Sequence, residues 1–218
     1  MAGAEDMIGK GRELTKAGDL DRALDLFVQA ASSCRERGDV AGQIEALQLV
    51  AEIRLLRKES AGVLETYERM LALFKGMEDR EGQGRVLNNI GLLQARSDRC
   101  EEALGCFKAA LGIFEELGKP LRAAEQWGNI GSVYRDMKRY EEALQSYRHA
   151  LPLFESVDHR EGIADQYTNI AYIHVMNNRL EEACTWYRRA LPLYEEAGAE
   201  GKAGFTRQNL ENLERSTG

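Results

Sequence analysis

The residues of this chain whose type and spacing best suit binding chemistry are asparagines: Asn89, Asn129, Asn169 and Asn209 recur at intervals of 40. An Asn side chain offers one acceptor oxygen and two donor hydrogens. A row of them can therefore pair with the N–H and C=O of an extended peptide while ignoring its side chains. The competing role for such a row is to tie neighbouring helices together. Other reactive residues are poorly placed for catalysis. Cys34, Cys100, Cys106 and Cys184 show neither CxxC spacing nor histidines at ligand spacing, and they read as reduced thiols. His149, His159 and His174 have no Cys, Ser or Asp positioned to complete a triad or a metal set, and they read as packed or surface histidines. The pairs Glu115-Glu116 and Glu195-Glu196 are adjacent in sequence, hence on different faces of a helix. No phosphate-binding glycine loop, HExxH or GxSxG motif occurs. The expectation is a non-enzyme with no catalytic residue, cofactor or metal.

The interval that spaces the asparagines spaces everything else. The 218 residues align without a gap as five rows of 40 and a remainder of 18. Glu101-Glu102-Ala103-Leu104 sits above Glu141-Glu142-Ala143-Leu144 and Glu181-Glu182-Ala183-Cys184, and Asp21-Arg22-Ala23-Leu24 and Ala61-Gly62-Val63-Leu64 are more degenerate copies. Aromatics recur at Phe27, Tyr67, Phe107, Tyr147 and Tyr187. A fixed period of this size means a stacked array, because one repeat cannot bury its apolar face without neighbours.

Within a row the apolar spacing is helical. Trp127, Ile130, Gly131 and Tyr134 follow an i, i+3, i+4, i+7 pattern, and Ala143, Leu144, Tyr147, Ala150 and Leu151 resume it after a break at residues 137–140. Each row is thus a helix pair, A then B, with longer breaks carrying Gly38-Asp39, Gly118-Lys119-Pro120 and Gly198 between rows. Asp98 with Glu101, and Asn178 with Glu181, predict capping boxes at the start of helix B. Gly91, Gly131 and Ala171 on helix A, and Ala103, Ala143 and Ala183 on helix B, are small where two helix backbones are expected to approach closely. Pro152 and Pro192 fall inside helix B, where each removes a backbone hydrogen bond and is expected to kink the helix. The predicted organisation is one continuous domain over 1–218. Its repeats fall at about 4–43, 44–83, 84–123, 124–163 and 164–203, and a capping helix built on Phe205, Leu210 and Leu213 spans about 204–215.

Composition narrows the partners. The net charge is -7 and no run of Lys and Arg appears, which argues against a general binder of nucleic acid or of an anionic membrane. Charge interrupts every apolar stretch before it could span a bilayer. The opening residues, with Glu5 and Asp6, lack the basic start and apolar run of a signal peptide, so a cytoplasmic location is expected.

The repeated residues resemble those of the tetratricopeptide family. Its pattern of a large residue, Leu-Gly, Tyr, Ala, Phe and Ala is matched by Trp127, Ile130-Gly131, Tyr134, Ala143, Tyr147 and Ala150, and the resemblance covers essentially the whole chain. The period of 40 departs from the family's usual length of about 34. The family's final proline is replaced by Arg35, Lys75, Glu115, Glu155 and Glu195. The longer repeat resembles the arrays of Pins-type spindle-orientation adaptors, rapsyn and kinesin light chains. The resemblance implies an all-α, right-handed α-α superhelix, a solenoid of five helix-turn-helix repeats plus a capping helix, in which the A helices line a concave groove. It also implies an adaptor or scaffold acting through protein binding.

On the implied groove face, the asparagine column is joined by Leu92, Arg96, Arg135, Tyr172 and Met176. Similar ladders hold peptides in the groove of O-GlcNAc transferase. Leu49, Leu55 and Leu56 read either as an apolar floor for a partner or as a homodimer patch. Glu5, Glu45, Glu125 and Asp165 form a column that is either an acidic groove edge for basic peptides or a set of first-turn acids complementing the helix dipole. The basic clamp by which chaperone-adaptor arrays hold a terminal carboxylate is not reproduced. The expected partner is a protein or peptide segment, with self-association of the N-terminal repeats as the alternative, and neither nucleic acid nor membrane.

Overall fold

The computed structural model describes residues 3–217, and among them every element is an α-helix. In chain order these are α1 (Ala4–Lys16), α2 (Leu20–Glu36), α3 (Val40–Leu56), α4 (Ser60–Gly76), α5 (Arg80–Arg96), α6 (Cys100–Glu116), α7 (Pro120–Asp136), α8 (Tyr140–Glu155), α9 (Arg160–Met176), α10 (Leu180–Glu196) and α11 (Glu200–Thr217). The fold is all-α, built of consecutive helix pairs, as expected. The chain divides into two compact units, 1–93 and 94–218, with the division inside α5.

The period of 40 is two half-periods of 20. From α2 onward each helix begins at a multiple of 20, and the residue two places before it has left-handed backbone: Gly18, Gly38, Lys58, Glu78, Asp98, Gly118, Lys138, Asp158, Asn178 and Gly198, with φ from 49° to 82°. Around Gly18, the Gly18 N–H donates to the Thr15 carbonyl at 3.1 Å and the Asp19 N–H to the Leu14 carbonyl at 2.9 Å. These are the two bonds of a Schellman motif, and the equivalent pair closes each later turn through Gly198 and Ala199. The last residue of each motif is also the N-cap of the next helix, so one turn of three residues, or four between α8 and α9, both ends one helix and starts the next. Turns this short make sequence-adjacent helices antiparallel neighbours.

This geometry corrects three expectations. The breaks between rows are three residues, the same as those within rows, except the four of 156–159 before α9. Asp98 and Asn178 are the left-handed residues of their turns and not N-caps; the caps are Arg99 and Arg179, whose side chains make no capping bond. Side-chain capping occurs instead where Asp19, Asp39, Asp79 and His159 accept from the N–H of Arg22, Gly42, Gly82 and Gly162. The A helices begin at 40, 80, 120, 160 and 200, four residues before the predicted repeat starts.

In the first unit α1 packs on α2, α2 on α3 and α3 on α4, with α1 also touching α3. Gly11 faces the Phe27 ring so closely that an added Cβ would fall 2.4 Å from it. The second unit repeats the arrangement: α7 packs on α8, α8 on α9 and α9 on α10, with α7 touching α9. There Gly131 faces Tyr147, the largest fully buried side chain, and an added Cβ would lie 2.5 Å from its ring. The small residues of helix A thus make room for a B-helix aromatic, where the sequence had suggested backbone against backbone. Pro152 and Pro192 lie inside α8 and α10. The A helices are buried on a wide arc: α9 buries Gly162, Ile163, Ala164, Gln166, Tyr167, Ile170, Ala171 and Ile173. The final helix buries Ala203 and Thr206 and leaves Phe205 66% exposed, so Phe205 is not the covering residue that its apolar character suggested.

A left-handed conformation costs a non-glycine residue roughly 1–2 kcal/mol, part of which glycine returns through its freer unfolded chain. Replacing Lys138 by Gly should therefore raise unfolding stability by roughly 0.5 kcal/mol and replacing Gly118 by Ala should lower it by roughly 1 kcal/mol. Urea denaturation midpoints check both; a lowered midpoint for Lys138→Gly would contradict this account of the turns.

Candidate functional site

A helix packed on both flanks keeps only a narrow accessible face, and on α9 that face carries Asp165, Thr168, Asn169, Tyr172 and Val175, spaced so that they lie over one another along one side. In the second unit this stripe forms one wall of a groove of about 610 Å³. Arg135 of α7 closes one edge, Lys202, Phe205, Asn209 and Leu213 of α11 form the opposite wall, and Tyr187 and Tyr194 of α10 supply aromatic surface between. A second pocket of about 340 Å³ adjoins it and shares Asp165, Thr168 and Asn169. It lies between α7, with Glu125, Gly128, Asn129 and Ser132, and α9 with Gln166.

Of the predicted site residues, Arg135, Asn169, Tyr172 and Asn209 come together in the larger groove, and Asn129 joins Asn169 in the smaller pocket. Met176 is exposed at the end of α9 but lines neither, and Arg96 is exposed outside them. Asn89 and Leu92 belong to α5 in the first unit, where Asn88 donates to the Asn89 amide oxygen at 3.4 Å. In that unit Leu49 is half-buried, and Leu55 and Leu56 are exposed, Leu56 to 64%.

The asparagines are not all spectators of the fold. Arg135 donates to the Asn169 amide oxygen at 3.3 Å while its guanidinium also bonds Asp136 at 2.9 Å and lies 5.7 Å from the Tyr172 ring centre. This is a tie between neighbouring A helices. Asn209 hydrogen-bonds the Tyr187 hydroxyl, which partly offsets the upward push of burial on that phenol's pKa.

Charge in the groove is paired. Tyr194 donates to Asp165 at 2.7 Å, Lys202 donates to both Asp165 oxygens at 2.7 and 2.9 Å and also pairs with Glu161 at 2.9 Å, and Thr168 shares a hydrogen bond with the Tyr194 hydroxyl. Burial raises the Tyr194 phenol far above its usual range, and the Asp165 charge adds to it, so this hydroxyl stays protonated as a donor. The column containing Asp165 is therefore no bare acidic edge: Glu45 pairs with Arg12 at 2.9 Å and Glu125 with Arg122 at 3.0 Å. Nor are Glu45, Glu125 and Asp165 first-turn acids, since each is the sixth residue of its helix; only Glu5 is in a first turn. Sequence reasoning missed Lys202 because the capping helix was expected to begin after it. The regular start of an A helix every 40 residues was the signal that would have placed it.

Two groups lie off the asparagine face. His149 stacks on Trp127 with centroids 4.6 Å apart, and the four cysteines are free thiols, Cys34 and Cys184 buried. Among the described residues no group of three His, Cys, Asp or Glu could hold a metal ion, and no helix is long and apolar enough to cross a membrane. Among the described residues three buried side-chain atoms lack a hydrogen-bond partner: the Oε1 atoms of Gln126 and Gln166 and the Nδ1 of His174. Such an atom costs about 1–3 kcal/mol unless a partner arrives.

Residues 122–196, which span most of α7 to α10, match the family model described as tetratricopeptide repeat. SH3 domain and tetratricopeptide repeat-containing protein 2 of Homo sapiens is 42% identical over 66 residues, a stretch that makes up 28% of this chain and 5% of that protein. A signal transduction ATPase with numerous domains and a tetratricopeptide repeat sensor, from Pyrococcus horikoshii, superposes with a TM-score of 0.83 at 14% identity, over 99% of this chain and 33% of that one. A Rap protein complexed with Competence and Sporulation Factor superposes with a TM-score of 0.62 at 14% identity, over 98% of this chain and 64% of its own. At these identities the structural likeness is one of fold. Residues 122–196 are thus tetratricopeptide repeats, the helix pairs on either side share their fold, and the repeat is a protein-interaction module.

His174 supplies a pH test. Burial, followed by the Arg179 charge, lowers its pKa below 6.5, so around and below that pH the unfolded chain binds more protons than the folded one. Stability present at neutral pH is then lost as pH falls through the unfolded value. His174→Tyr, the residue that Tyr134 provides in the preceding repeat, should reduce the loss of stability between about pH 7 and about pH 5 seen in melting curves. Equal losses in both proteins would remove His174 as the source.

Proposed function

We propose that this chain is a non-enzymatic adaptor that docks an extended segment of a partner protein along the accessible faces of α7, α9 and α11. The observation that carries the reading is that Asn129, Asn169 and Asn209, one from each of three successive A helices, line two adjoining pockets within one unit. With the Asn169 oxygen held by Arg135, its amide hydrogens point the chemistry toward a partner carbonyl. Tyr172 and Phe205, both exposed beside the groove, offer apolar contact for a partner side chain. The fold shared with a Rap protein complexed with Competence and Sporulation Factor supports the same reading. In this reading the adaptor is cytoplasmic, needs no cofactor and has the whole of 1–218 as one repeat array.

Replacing Asn129 and Asn169 together by Ala should lower affinity for an identified partner segment about tenfold or more, two amide hydrogen bonds being worth that much. Ala is the better helix former, so melting should be unchanged or slightly higher. Titration calorimetry and thermal unfolding on the same samples measure both, and unaltered affinity would remove the asparagines from the mechanism.

A second reading, self-association through the first unit, is favoured by Leu56 and the neighbouring exposed Leu55 at the end of α3. Leu56→Asp should then convert an oligomer to monomer in sedimentation velocity; a wild-type chain that is monomeric at every concentration leaves this reading without support.

A further inference from the structure

We propose that the smaller pocket, between α7 and α9, receives an arginine side chain of the docked segment; this rests on the docking reading above. Gln166 is 4% exposed, its Nε2 donates to the Gly162 carbonyl at 3.2 Å, and its buried Oε1 accepts from nothing in the protein. That oxygen faces Gly128, where an added Cβ would lie 3.4 Å from it. The corresponding residues of other A helices are Ile8, Gln48, Asn88, Thr168 and Gln208, so the missing side chain at 128 is what leaves room in front of the orphan acceptor. Gln126 Oε1, likewise unpartnered, lines neither pocket and carries no such reading.

The rest of the lining says what kind of donor fits. Glu125 and Ser132 on α7 add acceptors, the Asn169 amide oxygen being already held by Arg135, and among the described lining residues none is Lys or Arg. At the rim Asp165 is already neutralised by Lys202. The charge that remains is that of Glu125, whose pairing with the exposed Arg122 is weak in water and readily exchanged. Acceptors spread over two helices suit a planar, permanently charged guanidinium with five N–H donors better than the single point charge of an ammonium. The chain's net charge of -7 further favours a basic segment.

The test uses the full chain, 15N-labelled, titrated with acetyl-arginine-methylamide and, in parallel, with the citrulline and leucine analogues. The arginine probe should shift the Gly128 backbone and Gln166 side-chain amide resonances, the citrulline probe less and the leucine probe not at all. Gln166→Met should weaken the arginine probe about tenfold. Gly128→Ala places a methyl in the pocket at ordinary contact distance and should weaken the probe at least about fivefold while raising the melting temperature, because Ala favours the helix. No response to the arginine probe, or an equal response to the leucine probe, overturns the proposal. So does a partner segment whose affinity falls with the Asn129 and Asn169 replacements but is indifferent to Gly128→Ala and to loss of its own arginines; that result would leave the docking reading standing. An arginine response that vanishes in Gln166→Met, with a partner indifferent to the asparagine replacements, supports the pocket and overturns the docking reading alone.

Discussion

A left-handed residue at every twentieth position governs the rest of this structure. Each one terminates a helix by closing the two Schellman bonds, and the next residue already caps the following helix, so helix length and chain reversal are set at the same short turn. Only Gly18, Gly38, Gly118 and Gly198 adopt this conformation without steric cost; Asp98, Asp158 and Asn178 tolerate it, and Lys58, Glu78 and Lys138 are held there by packing of the helices on either side. The regularity explains why the chain aligns with itself without a gap. An inserted residue would shift a helical face by 100° and bury the wrong stripe.

Given that phase, the second constraint is shape. A B-helix aromatic such as Tyr147 fills the space opposite a residue with no side chain, Gly131, as Phe27 does opposite Gly11. Each pair couples one A helix to its own B helix through a contact that leaves no room for a methyl group. The A helices are then wrapped by neighbours over most of their circumference. What stays accessible on α9 is a narrow line of polar residues with Tyr172 and, toward the end of the helix, Val175 and Met176, and this narrowness is why so few side chains define the groove.

The chemistry of that groove depends on cancellation of charge. Asp165, Lys202, Glu161 and Tyr194 satisfy one another, and Arg135 is shared between Asp136 and Asn169. The smaller pocket differs because its acceptors outnumber its donors: Gln166 holds one bond through nitrogen and none through oxygen. An imbalance of this kind is a property of the folded protein, since in water the same amide is fully hydrogen-bonded.

The repeat, the helix pairs and the face bearing Asn129, Asn169 and Asn209 were legible from the sequence, because a period of 40 and a helical pitch of 100° per residue are arithmetic on residue order. The turns were misjudged: Asp98 and Asn178 are common N-cap types, and only the observed backbone shows them one place too early, in the left-handed region. The start of α11 was set too late, which hid Lys202 and with it the neutralisation of Asp165. Residue order alone thus determined the repeat and the helical stripe that carries the asparagines. Tertiary structure alone decided which of those side chains are consumed by one another and which acceptor is left facing a pocket, because pairing depends on distances between helices that no single repeat specifies.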